Sequence, residues 1–192
     1  MQLKLHDEES VNDFKRFVKY EGPIYVVNEK RDDKVFIEYQ ISFVDRIMVK
    51  RLIDLGCLPK KTFTLQFPTD EQLPHKYINS FIRGAFDGDG GIYRKKLKNK
   101  GMAFEFTGTE SFLTGIRSVL VEYNIISDKR SYIYSSHAKN NIIKRIVSSK
   151  KSSINKLYDF LYSNNPTYYM KRKKERYEAL MSEVGIEYYR RQ

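Results

Sequence analysis

The stretch Pro74–Tyr93, PHKYINSFIRGAFDGDGGIY, decides how this chain reads. Pro74 suits the first turn of a helix, where its missing N–H is not needed. Tyr77, Ile78, Phe81, Ile82 and Ala85 follow at the three-to-four spacing of one helical face. Gly84 and Gly88 stand one turn apart and leave room for another backbone to approach. The helix is expected to stop at Asp87-Gly88-Asp89-Gly90-Gly91, so two carboxylates sit at its C-terminal end. There the helix carries partial negative charge, and an acid costs about 0.3–1 kcal/mol. A bound hard cation, taking carboxylate and backbone carbonyl oxygens, reverses the sign of that term. The alternative is a solvated Asp-Gly turn with no ligand.

Outward from this helix, the 192 residues allow one domain or two small halves. The charge balance of 35 Lys+Arg against 24 Asp+Glu gives a formal net charge of +11, which points to a polyanionic partner, nucleic acid before membrane. No apolar run approaches the ~20 residues of a membrane span, and no signal-peptide h-region opens the chain. The single cysteine, Cys57, leaves no internal disulfide framework and fits a reduced, cytoplasmic setting. No Cys/His cluster has zinc-site spacing.

The elements before the helix read as a strand at 2–6, a helix capped by Asp7 with Val11, Phe14 and Val18 inward, strands at 24–27 and 35–43, and a helix at 45–55 closed by Gly56. After it come a strand at 92–96, a basic tip at 95–100, a strand at 102–107 and a helix capped by Thr109. A strand pair at 129–135 and 142–148, a helix at 152–162 and a basic segment at 168–184 complete the chain. The two parts repeat at an offset of about a hundred residues. Leu3-Lys4-Leu5 and its helix match Phe104-Glu105-Phe106 and its helix, and both continue strand, strand, helix. Leu52-Ile53-Asp54-Leu55 falls opposite Leu157-Tyr158-Asp159-Phe160. The helix and strand at 74–96 have no counterpart in the first part.

Ile82 to Gly90, IRGAFDGDG, resembles the nine-residue motif of the LAGLIDADG homing endonucleases, with glycine at its third and ninth positions and acid at its sixth and eighth. LIDLGCLPKKTFTLQFP, Leu52 to Pro68, resembles the linker of single-chain members, and YYMKRKKERY, Tyr168 to Tyr177, their final basic helix. The resemblance implies an α+β fold of two pseudo-symmetric αββαββα halves whose curved antiparallel sheets form a saddle on DNA. Residues 1–70 are then a first half, lacking its opening helix and strand, with the linker; 71–192 are the second half.

The same resemblance implies a site-specific nuclease of a mobile element, intron or intein, hydrolysing duplex DNA with magnesium or another divalent cation. Asp89 is then the metal-binding acid, with the Gly88 carbonyl beside it. Lys171 is the basic residue near the attacking water, and Lys60 or Lys61 is its partner from the first half. Helix pairing falls to Phe81, Gly84, Ala85, Asp87 and Gly88. DNA contacts fall to Arg94, Lys95, Lys96, Lys98, Arg130, Tyr132, Tyr134, Arg172 and Lys173, with Glu38, Gln40 and Glu105 on sheet faces whose outward parity the pattern leaves open. Asp7 and Gly108 fall at the site's edge, where Gly108 offers no side chain.

Family cleavage needs two such acids, and one motif is visible. Three accounts follow: a preceding segment supplies the other, two copies pair through Gly84 and Gly88, or the chain binds DNA or RNA without cutting, as a regulator or splicing maturase.

Overall fold

The computed structural model describes residues 2–31, 34–59, 61–95, 101–130, 133–135 and 142–186. Lys60, Lys96, Lys98 and Tyr132, assigned above to catalysis or DNA contact, lie outside them, as do the side chains of Lys61 and Arg130. The chain forms two compact units, Met1–Leu52 and Ile53–Gln192.

In the first unit, β1 (Gln2–Leu5) is followed by α1 (Glu8–Phe17), β2 (Tyr25–Arg31), β3 (Lys34–Ser42) and most of α2 (Arg46–Asp54). Asp7 starts α1 by accepting the Ser10 amide at 2.8 Å, which satisfies one of the helix's unpaired N–H groups. The Asp45 carboxylate does the same for the Met48 amide at the head of α2. Gly56, at φ +87°, provides the left-handed turn after it. The strands form an antiparallel sheet in the order β1-β3-β2. Its small core is built on Val11 and Ile41, both fully buried. The β2–β3 hairpin runs further than its composition suggests, pairing to Arg31 opposite Lys34.

The second unit contains α3 (Ile78–Asp89), β4 (Gly90–Arg94), β5 (Met102–Thr109), α4 (Glu110–Glu122), β6 (Ile133–Ser135), β7 (Ile143–Ser148), α5 (Lys151–Tyr162) and α6 (Lys171–Glu183). Its antiparallel sheet has the order β4-β5-β7-β6. The sequence repeat is thus a repeat of topology. In each unit a strand, a capped helix, two strands and a helix follow one another, and the third strand returns to the centre. The pair α3–β4 is the second unit's own addition. Apolar residues at alternate sheet positions, Ile92, Phe104, Phe106 and Ile146, join Phe86, Leu113, Ile116, Leu120, Leu157 and Tyr177 in one continuous core.

Part of the connector read above as linker also belongs to this core. Phe67 packs edge-on to Phe81, with ring centres 5.4 Å apart, and tilted against Phe112 at 6.3 Å. The Thr109 hydroxyl donates to the Leu65 carbonyl while accepting the Phe112 amide. Gly115 on α4 makes room for this segment: a Cβ there would lie 2.0 Å from Cγ of Phe67. The obstructing atoms are at the root of the ring, so the clash outweighs the helix preference of alanine, worth about 1 kcal/mol. Gly115→Ala is therefore expected to lower stability by about 1–3 kcal/mol in urea denaturation. A gain in stability would mean that Phe67 does not pack there.

Candidate functional site: the carboxyl end of α3

One short turn, His75–Tyr77, leads into α3, which buries Ile78, Ile82, Arg83 and Phe86. The Arg83 guanidinium is nearly enclosed and donates to the Leu161 carbonyl at 2.7 Å and the Asn164 side-chain oxygen at 3.1 Å, anchoring the helix to the end of α5. Burial holds its pKa below the usual arginine value, opposed by the charge of Asp87. The opposite strip of α3, with Tyr77, Ser80, Gly84 and Gly88, is exposed. A Cβ at Gly84 or Gly88 would meet nothing within 4 Å. Phe81 and Ala85, expected on this open face, are instead half-buried against their own unit's core. The Phe81–Ala85 row lies about a sixth of a turn from the glycines, and Phe67 packs against Phe81.

The helix passes into β4 without a loop, ending at Asp89 with β4 starting at Gly90. A Cβ at Gly90 would stand 2.6 Å from the Phe86 carbonyl oxygen, so this close turn requires glycine. The two acids face different surroundings. Asp87 is largely enclosed, and its Oδ2 accepts the amide of Met170, the residue that caps α6, at 3.0 Å. Among the described residues its buried Oδ1 has no hydrogen-bond partner. Burial raises the carboxyl above its ordinary value, opposed by the Met170 amide and the charges of Lys173, Arg83 and Arg172. Asp87 therefore caps a helix, α6 of its own unit. Asp89 is exposed at the rim.

Lys173 departs furthest from expectation. Assigned above to DNA contact, it turns its ammonium inward to the end of α3. It donates to the Gly90 carbonyl at 2.6 Å and the Phe86 carbonyl at 2.7 Å, and reaches the Gly88 carbonyl at 3.5 Å. It also lies 5.6 Å from the centre of the Phe86 ring. Burial lowers its pKa, opposed by the charge of Asp87. The unfavourable charge at this helix terminus is thus compensated by a side chain of the same protein, a signal masked in sequence by the surrounding Lys and Arg run. Lys171 and Arg172, its neighbours, are exposed at the start of α6.

Sheet register resolves the outward parity. In the second unit Phe104, Phe106, Ile146 and Ile133 share the core face, so Tyr93, Glu105, Thr107, Arg145, Val147 and Tyr134 share the other. Burial first and the charge of Glu105 next raise the Tyr93 phenol on this face, and the charge of Arg145 opposes them. Arg145 and Tyr93 were not among the expected contacts; strand alternation points to them once the register is known. In the first unit Glu38 and Gln40 lie on the face opposite Ile41, a parity that the sequence pattern left open. Glu38 is nevertheless nearly enclosed, ion-paired with Lys4 and 3.5 Å from the His6 ring nitrogen. Arg94 pairs with Glu183 at 3.2 Å, and Lys95 donates to the Ser149 hydroxyl at 3.3 Å. Asp7 is occupied in capping α1, and a Cβ at Gly108 would meet the Phe112 ring at 2.8 Å.

Among the described residues no group of three or more His, Cys, Asp or Glu side chains could hold a metal ion. Asp89 alone still fits a cation of the magnesium type, which keeps several waters and is commonly bound through one or two carboxylates plus substrate phosphate.

No family model and no curated protein sequence matches this chain. Solved structures do. The homing endonuclease I-WcaI bound to its DNA recognition sequence superposes with a TM-score of 0.58 at 14% identity, over 91% of this chain and 73% of that one. The LAGLIDADG homing endonuclease I-GzeII in complex with its DNA target gives 0.55 at 11% identity, over 96% and 79%. The LAGLIDADG meganuclease I-AabMI bound to uncleaved DNA gives 0.53 at 15%, over 96% and 80%. The chain therefore has the mixed α+β, two-half fold of the LAGLIDADG endonucleases.

The enclosed Asp87 carries a consequence for stability against pH. Its folded pKa lies above its unfolded one, so in the window between them the folded chain binds more protons. Stability contributed by this group is present below the unfolded value and is lost as pH rises through the folded one. Asp87→Asn keeps an acceptor for the Met170 amide without the charge. Denaturation midpoints measured from about pH 3 upward, starting below the ordinary carboxylate pKa, should show the variant gaining on wild type as pH rises. A constant difference would show that Asp87 is not enclosed.

Proposed function

We propose that this protein is a site-specific endonuclease that hydrolyses duplex DNA with a divalent metal ion. The observation that carries the reading is Asp89: an exposed carboxylate at the end of a helix whose neighbouring acid faces inward. A divalent ion on that carboxylate would offset phosphate charge and lower the pKa of a bound water. The chain's own contribution is positional. Lys171 and Arg172 stand at the head of α6, next to the Asp87-capped amide, where they would attract a phosphate. The open face of the second sheet, with Arg145, Tyr134, Thr107 and Glu105, supplies donors and acceptors for base edges. The net charge of +11 supplies affinity that falls with salt.

A second reading, binding without cleavage, is favoured by one contact: the Lys173 ammonium already lies 3.5 Å from the Gly88 carbonyl, an oxygen that the metal reading would use.

The two readings separate on Asp89→Asn. On the endonuclease reading, wild type nicks or cuts its selected target with Mg2+ present, the variant does not, and both bind with the same salt dependence. If a target selected from random duplexes is bound and never cut with Mg2+ or Mn2+, the protein is a binder. Arg145→Ala should relax selectivity at one base pair, at a cost of about 1–3 kcal/mol for the preferred base. A uniform loss across all sequences would make Arg145 a phosphate contact instead.

A further inference from the structure

The function proposed above gives Lys173 no part in the reaction. Lys173 lies within the basic run of α6, but its ammonium is surrounded by carbonyls of residues 86, 88 and 90 rather than by solvent. These carbonyls flank Asp89 on both sides in the chain. The contact is reciprocal. Lys173 of α6 satisfies acceptors at the C-terminal end of α3, and Asp87 of α3 satisfies the donor at the N-terminal end of α6. Each helix terminus is thereby closed by a side chain of the other helix, and each side chain has the sign its terminus favours.

We infer that Lys173 is a positioning residue: by gripping the carbonyls on both sides of Asp89, it fixes where that carboxylate stands. The geometry supports this over a general packing role. The helix passes directly into β4, where Gly90 already pairs with Phe106 of β5, so the restraint that Lys173 adds falls on the turn between helix and strand, at Gly88 and Asp89. The Gly90 amide bonds back to the Phe86 carbonyl, one of the oxygens Lys173 holds. Gly88 has no side chain to pack, and space beside its Cα is open. Without the ammonium, the Phe86 carbonyl would keep only its bond from the Gly90 amide, and the turn at Gly88 and Asp89 would lose the side-chain contact that ties it to α6. The inference rests on Asp89 being the metal-binding acid proposed above, and it is tested so that the two can fail separately.

The test compares the full-length protein with Lys173→Met and Lys173→Arg. Amide hydrogen exchange is followed in residues 84–92 and, as an internal reference, in 112–120 of α4. The expected result for Lys173→Met is loss of protection confined to 84–92, with Lys173→Arg restoring most of it. On a DNA target that the wild type cuts, the single-turnover rate at saturating Mg2+ should fall about a hundredfold, the order expected for a small displacement of a reacting group. Affinity for the same DNA should not change. Equal loss of protection in both segments, unchanged protection at 84–92, or an unchanged rate would each overturn the inference. If Lys173→Met does not fold, Lys173→Gln, which keeps a donor for one carbonyl, is read in the same way. If wild type never cuts, the endonuclease reading fails, and the exchange result alone decides whether Lys173 orders the Asp89 turn.

Discussion

A helix that ends in carboxylates works against its own dipole, and the second unit is arranged around relieving that conflict. The relief comes from α6, whose Lys173 brings positive charge to the terminus of α3 and whose capping residue, Met170, donates its amide to Asp87. The two acids of the motif are separated by this exchange. One carboxylate is drawn inward to close a helix, and the other is left at the surface with its backbone held. A binding carboxylate is most useful when it is exposed but not mobile, and two oppositely signed caps produce that combination without any loop. The enclosed Asp87 is costly in isolation, since burial disfavours its charged form. Its retention follows from serving two helices together.

The units share a topology but not a core. In the second, sheet and helices enclose a continuous apolar interior that extends from α3 to the segment after α6. Among the described residues of the first, Val11 and Ile41 are the buried apolar ones, and Val26, Val35, Phe17 and Ile47 remain substantially exposed. About fifty residues bury too small a share of their surface for high stability. The order of the first unit rests on strand pairing, on the Asp7 and Asp45 caps, and on the Lys4–Glu38 pair. Local opening is therefore expected to begin there, while the second unit holds the candidate site in place.

Much of this was legible before any coordinates. Asp7 and Thr109 cap helices because Asp and Thr, placed after a short strand and before an amphipathic run, have few competing uses. Gly56 ends a helix at positive φ because no other local residue takes that conformation cheaply. The repeat was visible because alternation and helical spacing recur in the same order. Other features depend on contacts distant in sequence. Phe67 reads as linker until Gly115 is seen to make room for it. Phe81 reads as an interface residue until Phe67 is found beside it. Lys173 is indistinguishable from Lys171 and Arg172 by composition. Helical spacing at about 100° per residue turns Lys173 toward α3, and only the position of α3 gives that direction meaning.

Sheet parity shows the same dependence most directly. A strand pattern divides residues into two sets but does not say which set meets solvent, and charge alone would have placed Glu38 outward and free. It is outward by parity, yet Lys4 and His6 enclose it. Lys4 is held protonated to higher pH, first by its bond to Glu38 and then by that to Glu29. On the corresponding face of the second unit, Arg145 stands on a central strand between Thr107 and Tyr134, with Glu105 nearby. A cation on a central strand can project to base edges while cations on the rim meet phosphate first. An acid beside it limits the directions its guanidinium can take. The difference between the two faces is therefore one of arrangement. The first has its charges paired across strands, whereas the second places a cation among hydroxyls and one acid.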